Sequence, residues 1–400
     1  MYDLLKGLRV VEGAAFIAGP SCGLYLAQMG AEVIRFDQIG GGPDAGRWPL
    51  APNGASLYWE GLNKGKKSVA IDLGRPEGRE LAVRIATAAD GLFVTNYPAA
   101  GFLSHAKLAE ARADVICLRI MGWPDERPAV DYTVNAAVGV PMMTGPADDP
   151  RPVNHVLPAW DLLAGAYAAF SLLAAERDRR TTGKGREIRL ALADLAAATL
   201  GNLGQVAEVL MAGGQDRPKS GNDLFGAFGR DFVTQDGKRL MIVAITPRQW
   251  KSLVEVLGLT EAIAPIEAAL GVNFARDEGA RFTHRAAIFP LFEAAIGRRT
   301  SADLGPGFDA KGVCWSTYDT LSGAIAGQPI LFSDNPIFSE VAHPSGAYPT
   351  PGSFARLPQD ERRAAPSAPH IGAHTDEVLA SLLSMSDGEI AALHDKGVVG

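Results

Sequence analysis

LRVVEGAAFIAGPSCGLYLAQMGAEVIRFD (residues 8–37) holds two short apolar runs with a helix-sized segment between them. LRVVEGA (8–14) has the length and β-branched content of a buried strand. Pro20 suits the first turn of a helix, where its missing N–H costs nothing. SCGLYLAQMGA continues that helix, Gly30 closes it, and EVIRFD (32–37) returns as a second strand. The rhythm repeats through KSVAIDL (67–73), PEGRELAVRIATAAD (76–90), GLFVTNY (91–97), a helix around 103–113 and DVICLRI (114–120). Strands alternating with helices predict βαβ units, a parallel sheet covered on both faces and an α/β fold.

Beyond Gly122 the texture changes. A loop region rich in Pro, Gly and Asp (123–158) precedes a long helix over about 161–180. TTGKGRE (181–187) reads as a turn, and IRLALADLAAATL as a strand followed by a helix. In DFVTQDGKRLMIVAI two strand-like runs flank Asp236-Gly237, a strong hairpin signal. Helices at PRQWKSLVEVLGL and 283–295 complete a compact α+β unit. The segment 340–370, rich in Pro and Ser, reads as a surface connection, and the C-terminal residues as two helices split at Ser386-Asp387. The expected organisation is a large α/β domain from 1–200 plus 320–400 and a smaller α+β domain at 221–312. Residues 201–220 and 313–319 serve as linkers.

Composition excludes several classes. The chain has 400 residues, more than a single core usually holds. A formal net charge of -7 argues against a nucleic-acid partner, which calls for a basic field. Cys22, Cys117 and Cys314 are far apart, a spacing that supports neither a disulfide framework nor a zinc site and fits a reducing compartment. The first residues lack the basic and apolar regions of a signal peptide. The longest apolar stretch, 162–175, falls short of the ~20 residues that span a bilayer. A cytoplasmic protein with no membrane partner is expected.

Few motifs of known chemistry are present. Gly13-Ala14-Ala15-Phe16-Ile17-Ala18-Gly19-Pro20 is not the GxGxxG turn of a dinucleotide site, and HExxH and Walker A are missing. Lys64, Lys66 and Lys67 read first as a solvated loop, and as a phosphate contact only if a phosphate-bearing ligand is implied independently. Asp161 heads the long apolar helix. It is either a first-turn acid that stabilises the helix or a carboxylate nucleophile toward an activated acyl group such as a thioester. His155, six residues earlier, reads as a satisfied structural histidine.

Taken in order, these segments resemble the family III CoA-transferases. The likeness rests on LLKGLRVVEGAAFIAGP, LAQMGAEVIRFD, GLNKGKKSVAIDL with GLFVTNY, the D-x3-G helix start at Asp161 with its TTGKG turn, and HTDEVL (374–379). It implies an acyl-accepting aspartate at Asp161 and a CoA-binding set of Phe16, Ile17, Arg35, Lys66, Asn96, Tyr97 and Tyr132. It also implies an acyl-CoA substrate, no metal and no cofactor beyond the coenzyme A of the substrate. The implied fold is a Rossmann-like large domain with a smaller inserted domain, in a homodimer of interlocked chains. Oxalate-directed members carry a glutamine where Ile17 stands, an arginine where Ser104 stands and a glycine-rich loop where this chain has GNDLFGAFGRDF (221–232). RWP (47–49), VDYTVN (130–135), MTGP (143–146) and VNHVLPAWD instead resemble members that move CoA between the C1 and C4 carboxyls of mesaconate. Transfer to a separate C4 or C5 dicarboxylate is the alternative. His155, Asn222 and Arg230 are candidates for holding the diacid, with Phe225 and Phe228 closing over it.

Overall fold

The computed structural model describes every residue except Ala89. Its contacts divide the chain into two units. Unit one comprises Met1–Val138, His155–Ala212 and Asp334–Gly400, and unit two Gly139–Asn154 and Gly213–Ser333. Residues 139–154 and 313–333 thus group with the second unit.

Unit one is built on six parallel strands: β1 (Arg9–Gly13), β2 (Glu32–Asp37), β3 (Lys67–Ala70), β4 (Leu92–Thr95), β5 (Ile116–Met121) and β6 (Arg186–Ala191). Their order is β3-β2-β1-β4-β5-β6, the doubly wound arrangement. The first helices are α1 (Ala18–Gln28), α2 (Leu57–Asn63), α3 (Pro76–Thr87), α4 (His105–Ala111) and α5 (Asp131–Ala137). After the short α6 (Val140–Met143) of unit two, the chain returns as α7 (Ala159–Thr182), α8 (Leu192–Asn202) and α9 (Gln205–Met211). Both faces of the central strands are covered, so Val10, Val11, Phe93, Val94, Cys117 and Leu118 lose all solvent contact. The expected helix over 76–90 ends at Thr87, and Ala89, within the expected span, lies outside the described residues.

α7 packs closely on α1 because Gly165 faces it: a Cβ there would stand 2.6 Å from Ser21 Cβ and 2.9 Å from the Ala18 carbonyl oxygen. Gly183, at φ 68°, ends the helix in a left-handed cap.

Unit two carries an antiparallel sheet of β7 (Phe228–Val233), β8 (Arg239–Ala244) and β9 (Cys314–Thr317), in that order. The β7–β8 hairpin turns at the expected Asp236-Gly237, with Gly237 at φ 72°. Around it lie α10 (Pro247–Leu257), α11 (Thr260–Leu270), α12 (Glu278–Thr283), α13 (Arg285–Ile296), α14 (Ser301–Lys311) and α15 (Leu321–Gly327). Phe228, expected to close over substrate, has no exposed surface. Its ring packs on Phe232, Trp250, Phe289 and Phe292 in the core of this unit.

The tail returns to unit one. The expected connection over 340–370 begins instead as a hairpin of β10 (Phe338–His343) and β11 (Gly346–Pro351), docked on Glu60 through Ser345 and Tyr348. α16 (Thr375–Leu383) and α17 (Asp387–Asp395) follow, the second started by a Ser386–Glu389 capping box. Ser68 N–H donates to His374 Nδ1 and Ala70 N–H to Thr375 Oγ1, which closes the β3 edge.

Candidate active site

The strand order reverses between β1 and β4, and open α/β sheets bind ligands beyond the strand C-termini at such a point. The loop after β1 is tied there to the residues after β4. Asn96 donates from Nδ2 to the Ala15 carbonyl at 2.9 Å and accepts from Ala15 N–H at 3.1 Å. Thr95 Oγ1 donates to the Gly13 carbonyl at 2.7 Å and accepts from Tyr97 N–H at 3.0 Å. Gly19 lets the loop fold tightly, since a Cβ would stand 2.4 Å from Ala14 Cβ. These ties hold Phe16 at φ 69°, a left-handed conformation that costs a non-glycine residue about 1–3 kcal/mol. Its ring stays exposed, while Ile17 begins α1 by accepting from Ser21 N–H.

Asp161 is the third residue of α7 and does not cap it. The capping acid is Asp131 at the start of α5. Its buried Oδ2 accepts from Trp160 N–H at 2.7 Å and Asp161 N–H at 3.1 Å. His155 Nε2 lies 2.5 Å from the other Asp131 oxygen, so that histidine is tied to a carboxylate rather than open to a diacid. Tyr132 packs edge-on to His155, and its hydroxyl donates to the Val156 carbonyl at 3.4 Å. With helix capping assigned to Asp131, the Asp161 carboxyl is left for other work. Burial, and secondarily the Asp131 charge, push it up to about 7, against the pull of Arg47.

Arg47 and Tyr58 face the same place. The Arg47 guanidinium lies 5.4 Å from the Phe16 ring centre and 5.4 Å from that of Tyr58. The Tyr58 hydroxyl is buried without a hydrogen-bond partner among the described residues and is close enough to feel the Asp161 charge. From the sequence Arg47 stood out only as part of RWP (47–49), with no role at the site, and Tyr58 was not anticipated, although Ser56, which caps α2 through Trp59 N–H, marks the helix start that orients Tyr58.

Two residues expected to bind CoA lie elsewhere. Arg35 and Lys66 are fully buried, and their donors are spent inside unit one. Arg35 pairs with Asp37 at 2.8 Å, Asp44 at 3.0 Å and Glu12 at 3.3 Å. Lys66 Nζ reaches both Glu12 oxygens, at 3.0 and 2.9 Å, and also Asn63 and the Pro20 carbonyl. Burial of a cation is tolerated only with such pairing, so these two residues organise the base of the sheet instead of reaching a ligand. Lys64 is buried as well, donating to the Gly61 carbonyl, and only Lys67 keeps the surface position expected of the cluster, paired with Glu32 and Glu377. Tyr97 lines a hollow of about 210 Å³ with Leu73, Pro98, Ala100, Phe102 and Leu103.

Asn222 and Arg230 belong to unit two. They line a hollow of about 640 Å³ there, with Thr144, Arg239 and Glu293. Arg230 is engaged by Glu293 at 3.1 Å and Asp223 at 3.7 Å, and Asn222 by Asp231 at 3.1 Å. Among the described residues, no group of His, Cys, Asp and Glu has the arrangement of a metal site, and no helix is long and apolar enough to cross a membrane.

The doubly wound sheet of unit one agrees with the comparisons with known proteins. The model of CoA-transferase family III matches residues 5–375, and the chain belongs to that family. It is 48% identical to 2-methylfumaryl-CoA isomerase of Chloroflexus aurantiacus, over 100% of this chain and 98% of that protein. It is 27% identical to succinyl-CoA:glutarate CoA-transferase of Mus musculus, over 99% and 90%. The crystal structure of a CAIB/BAIF family protein from Brucella suis superposes with a TM-score of 0.75 at 25% identity, covering 95% of this chain and 99% of that one.

Proposed function

We propose that this enzyme converts 2-methylfumaryl-CoA to 3-methylfumaryl-CoA by moving CoA between the C1 and C4 carboxyls of one mesaconate, through a thioester on Asp161. The observation that carries the reading is the Asp161 carboxyl: partly buried, relieved of capping by Asp131, and raised to about 7. A carboxylate of that basicity is a better nucleophile than an ordinary aspartate and is still substantially ionised near neutrality. The 48% identity to an isomerase of this type supports the substrate.

In the first step an Asp161 oxygen attacks the thioester carbonyl, the C–S bond breaks, and CoA leaves as thiolate from a mixed anhydride. The thiolate attacks the aspartyl carbonyl, which forms an aspartyl-CoA thioester and releases mesaconate. Mesaconate turns, its other carboxylate attacks that thioester, and the two steps run in reverse to regenerate Asp161. No proton or electron is gained or lost overall. The buried Tyr58 hydroxyl is a donor available to the oxygen that gains negative charge at each addition. Phe16, Ile17, Asn96, Tyr97 and Tyr132 are proposed to border the bound CoA.

We further propose a homodimer whose chains interlock, with unit two as the inserted domain. Its support is apolar surface that one chain leaves open: Leu163, Tyr167 and Phe170 on α7, Leu210 and Met211 at the end of α9, and Leu321 on α15. Patches of this extent mark interaction surfaces.

The function is tested by mixing enzyme with 2-methylfumaryl-CoA in excess isotopically labelled free mesaconate. Intact-mass and peptide analysis of quenched samples should find CoA on Asp161, none in Asp161→Ala, and product thioester free of label. Turnover by the Ala variant would remove Asp161 from the mechanism. Label entering product at the isomerisation rate would make the transfer intermolecular.

A further inference from the structure

The loop between β2 and α2 carries a cation, Arg47, within electrostatic reach of Asp161. Its base is fixed from below, because buried Asp44 is held by Arg35, and from behind, because Ser56 Oγ donates to the Arg47 carbonyl at 2.6 Å. The guanidinium at its tip lies against the rings of Phe16 and Tyr58. Some arginines of the chain, such as Arg35, Arg112, Arg119 and Arg230, have a carboxylate within ion-pair distance, and others, such as Arg79 and Arg281, donate to backbone carbonyls instead. Arg47 has no carboxylate at that distance among the described residues. It nonetheless acts on Asp161 from a distance, favouring its ionised form.

The charges around that point are otherwise unfavourable to the proposed substrate. A C5 diacid carrying CoA on one carboxyl presents the second as a free carboxylate a few bonds away. That carboxylate enters a site that already contains Asp131 and Asp161, where like charges repel. His155 is bound to Asp131, so it offers no compensation. A guanidinium lying against aromatic rings can keep its N–H edges for a carboxylate, and those edges match carboxylate geometry in a two-point contact.

Resting on the CoA-transfer reading above, we infer that Arg47 is the specificity-determining residue that holds the carboxylate of the diacid not bonded to CoA. The same contact serves both directions. With CoA on C1 it receives the C4 carboxylate, and after the diacid has turned it receives C1. Between the two half-reactions it retains the free mesaconate dianion beside the aspartyl thioester, where a held reactant has a high effective concentration.

The test compares mesaconyl-CoA with crotonyl-CoA, which lacks the second carboxylate, by rapid-quench measurement of CoA adduct formation on Asp161. In Arg47→Gln the second-order rate with mesaconyl-CoA should fall by roughly ten- to a hundredfold, the loss of a charge-assisted hydrogen-bonded contact. The crotonyl-CoA rate should change far less, and Arg47→Lys should fall between. Wild-type enzyme should also release less free mesaconate per turnover than Arg47→Gln. An equal loss with both thioesters would assign Arg47 to the CoA moiety or to the loop and overturn the inference, as would no loss with either. The underlying reading fails separately, if wild-type enzyme forms no adduct from either thioester.

Discussion

Replacing Asp161 with asparagine should make the protein more stable at neutral pH while removing its activity. Burial and Asp131 raise this carboxyl from its ordinary 3.8 to about 7 in the folded chain. Below pH 4 both folded and unfolded chains hold the proton, and the group makes no difference. Between pH 4 and 7 the unfolded chain releases it while the folded chain does not, so the wild type loses stability steadily; above 7 the loss levels off. A rise of that size corresponds to about 4 kcal/mol. Solvent reaching the partly exposed side chain screens this to about 2 kcal/mol. The asparagine side chain has nearly the same shape and carries no charge. The advantage of Asp161→Asn in thermal midpoint should therefore be near zero at pH 4, grow to a few degrees by pH 7 and stay flat to pH 8.5. Scanning calorimetry of both proteins at one concentration across that range measures it. If Asp161 served the helix dipole instead, the variant would be less stable at pH 7, by about 0.3–1 kcal/mol. That result, or an offset independent of pH, would refute the reasoning.

Lys66→Met should cost about 3–5 kcal/mol, because it leaves the buried Glu12 carboxylate without its ammonium partner. The double variant Glu12→Gln, Lys66→Met should recover a large part of that loss in the same denaturant titration. Interlocked chains cannot part without unfolding, so sedimentation velocity at nanomolar concentration should find only dimer; a folded monomer there would end the interlocking proposal.

The fold was legible wherever hydrophobic period and turn chemistry agreed. The strands of the parallel sheet, the Asp236-Gly237 hairpin and the Ser386 break between the last helices all follow from local sequence. The misreadings have local causes too. α5 and α6 fall inside the stretch read as loop because they are only seven and four residues long, with Gly139 and Pro141 at their junction. The β10–β11 hairpin is masked by Pro344, Pro349 and Pro351. A two-stranded ribbon tolerates such prolines, since β11 pairs on one side only and needs no donors on the other.

The site was legible in part, and charge is what divided the two parts. Asp161 stands out because an acid opens a long apolar helix, but whether it capped that helix was undecidable until Asp131, thirty residues earlier in the chain, proved to fill that role. Cations misled in a consistent way. Counted along the chain, Arg35 and Lys66 look like free positive charge, yet each is cancelled by acids that the fold brings in. A signal was present: Glu12 sits among Val10, Val11 and Gly13 in a fully buried strand, and a carboxylate there requires a buried cation. The same logic works in reverse for Arg47. Once the internal ion pairs are assigned, this exposed arginine is left beside a partly buried acid without a partner of its own. An unpaired cation within electrostatic reach of the carboxylate proposed as nucleophile is best explained by an anion that arrives with the substrate, and a diacid thioester carries one.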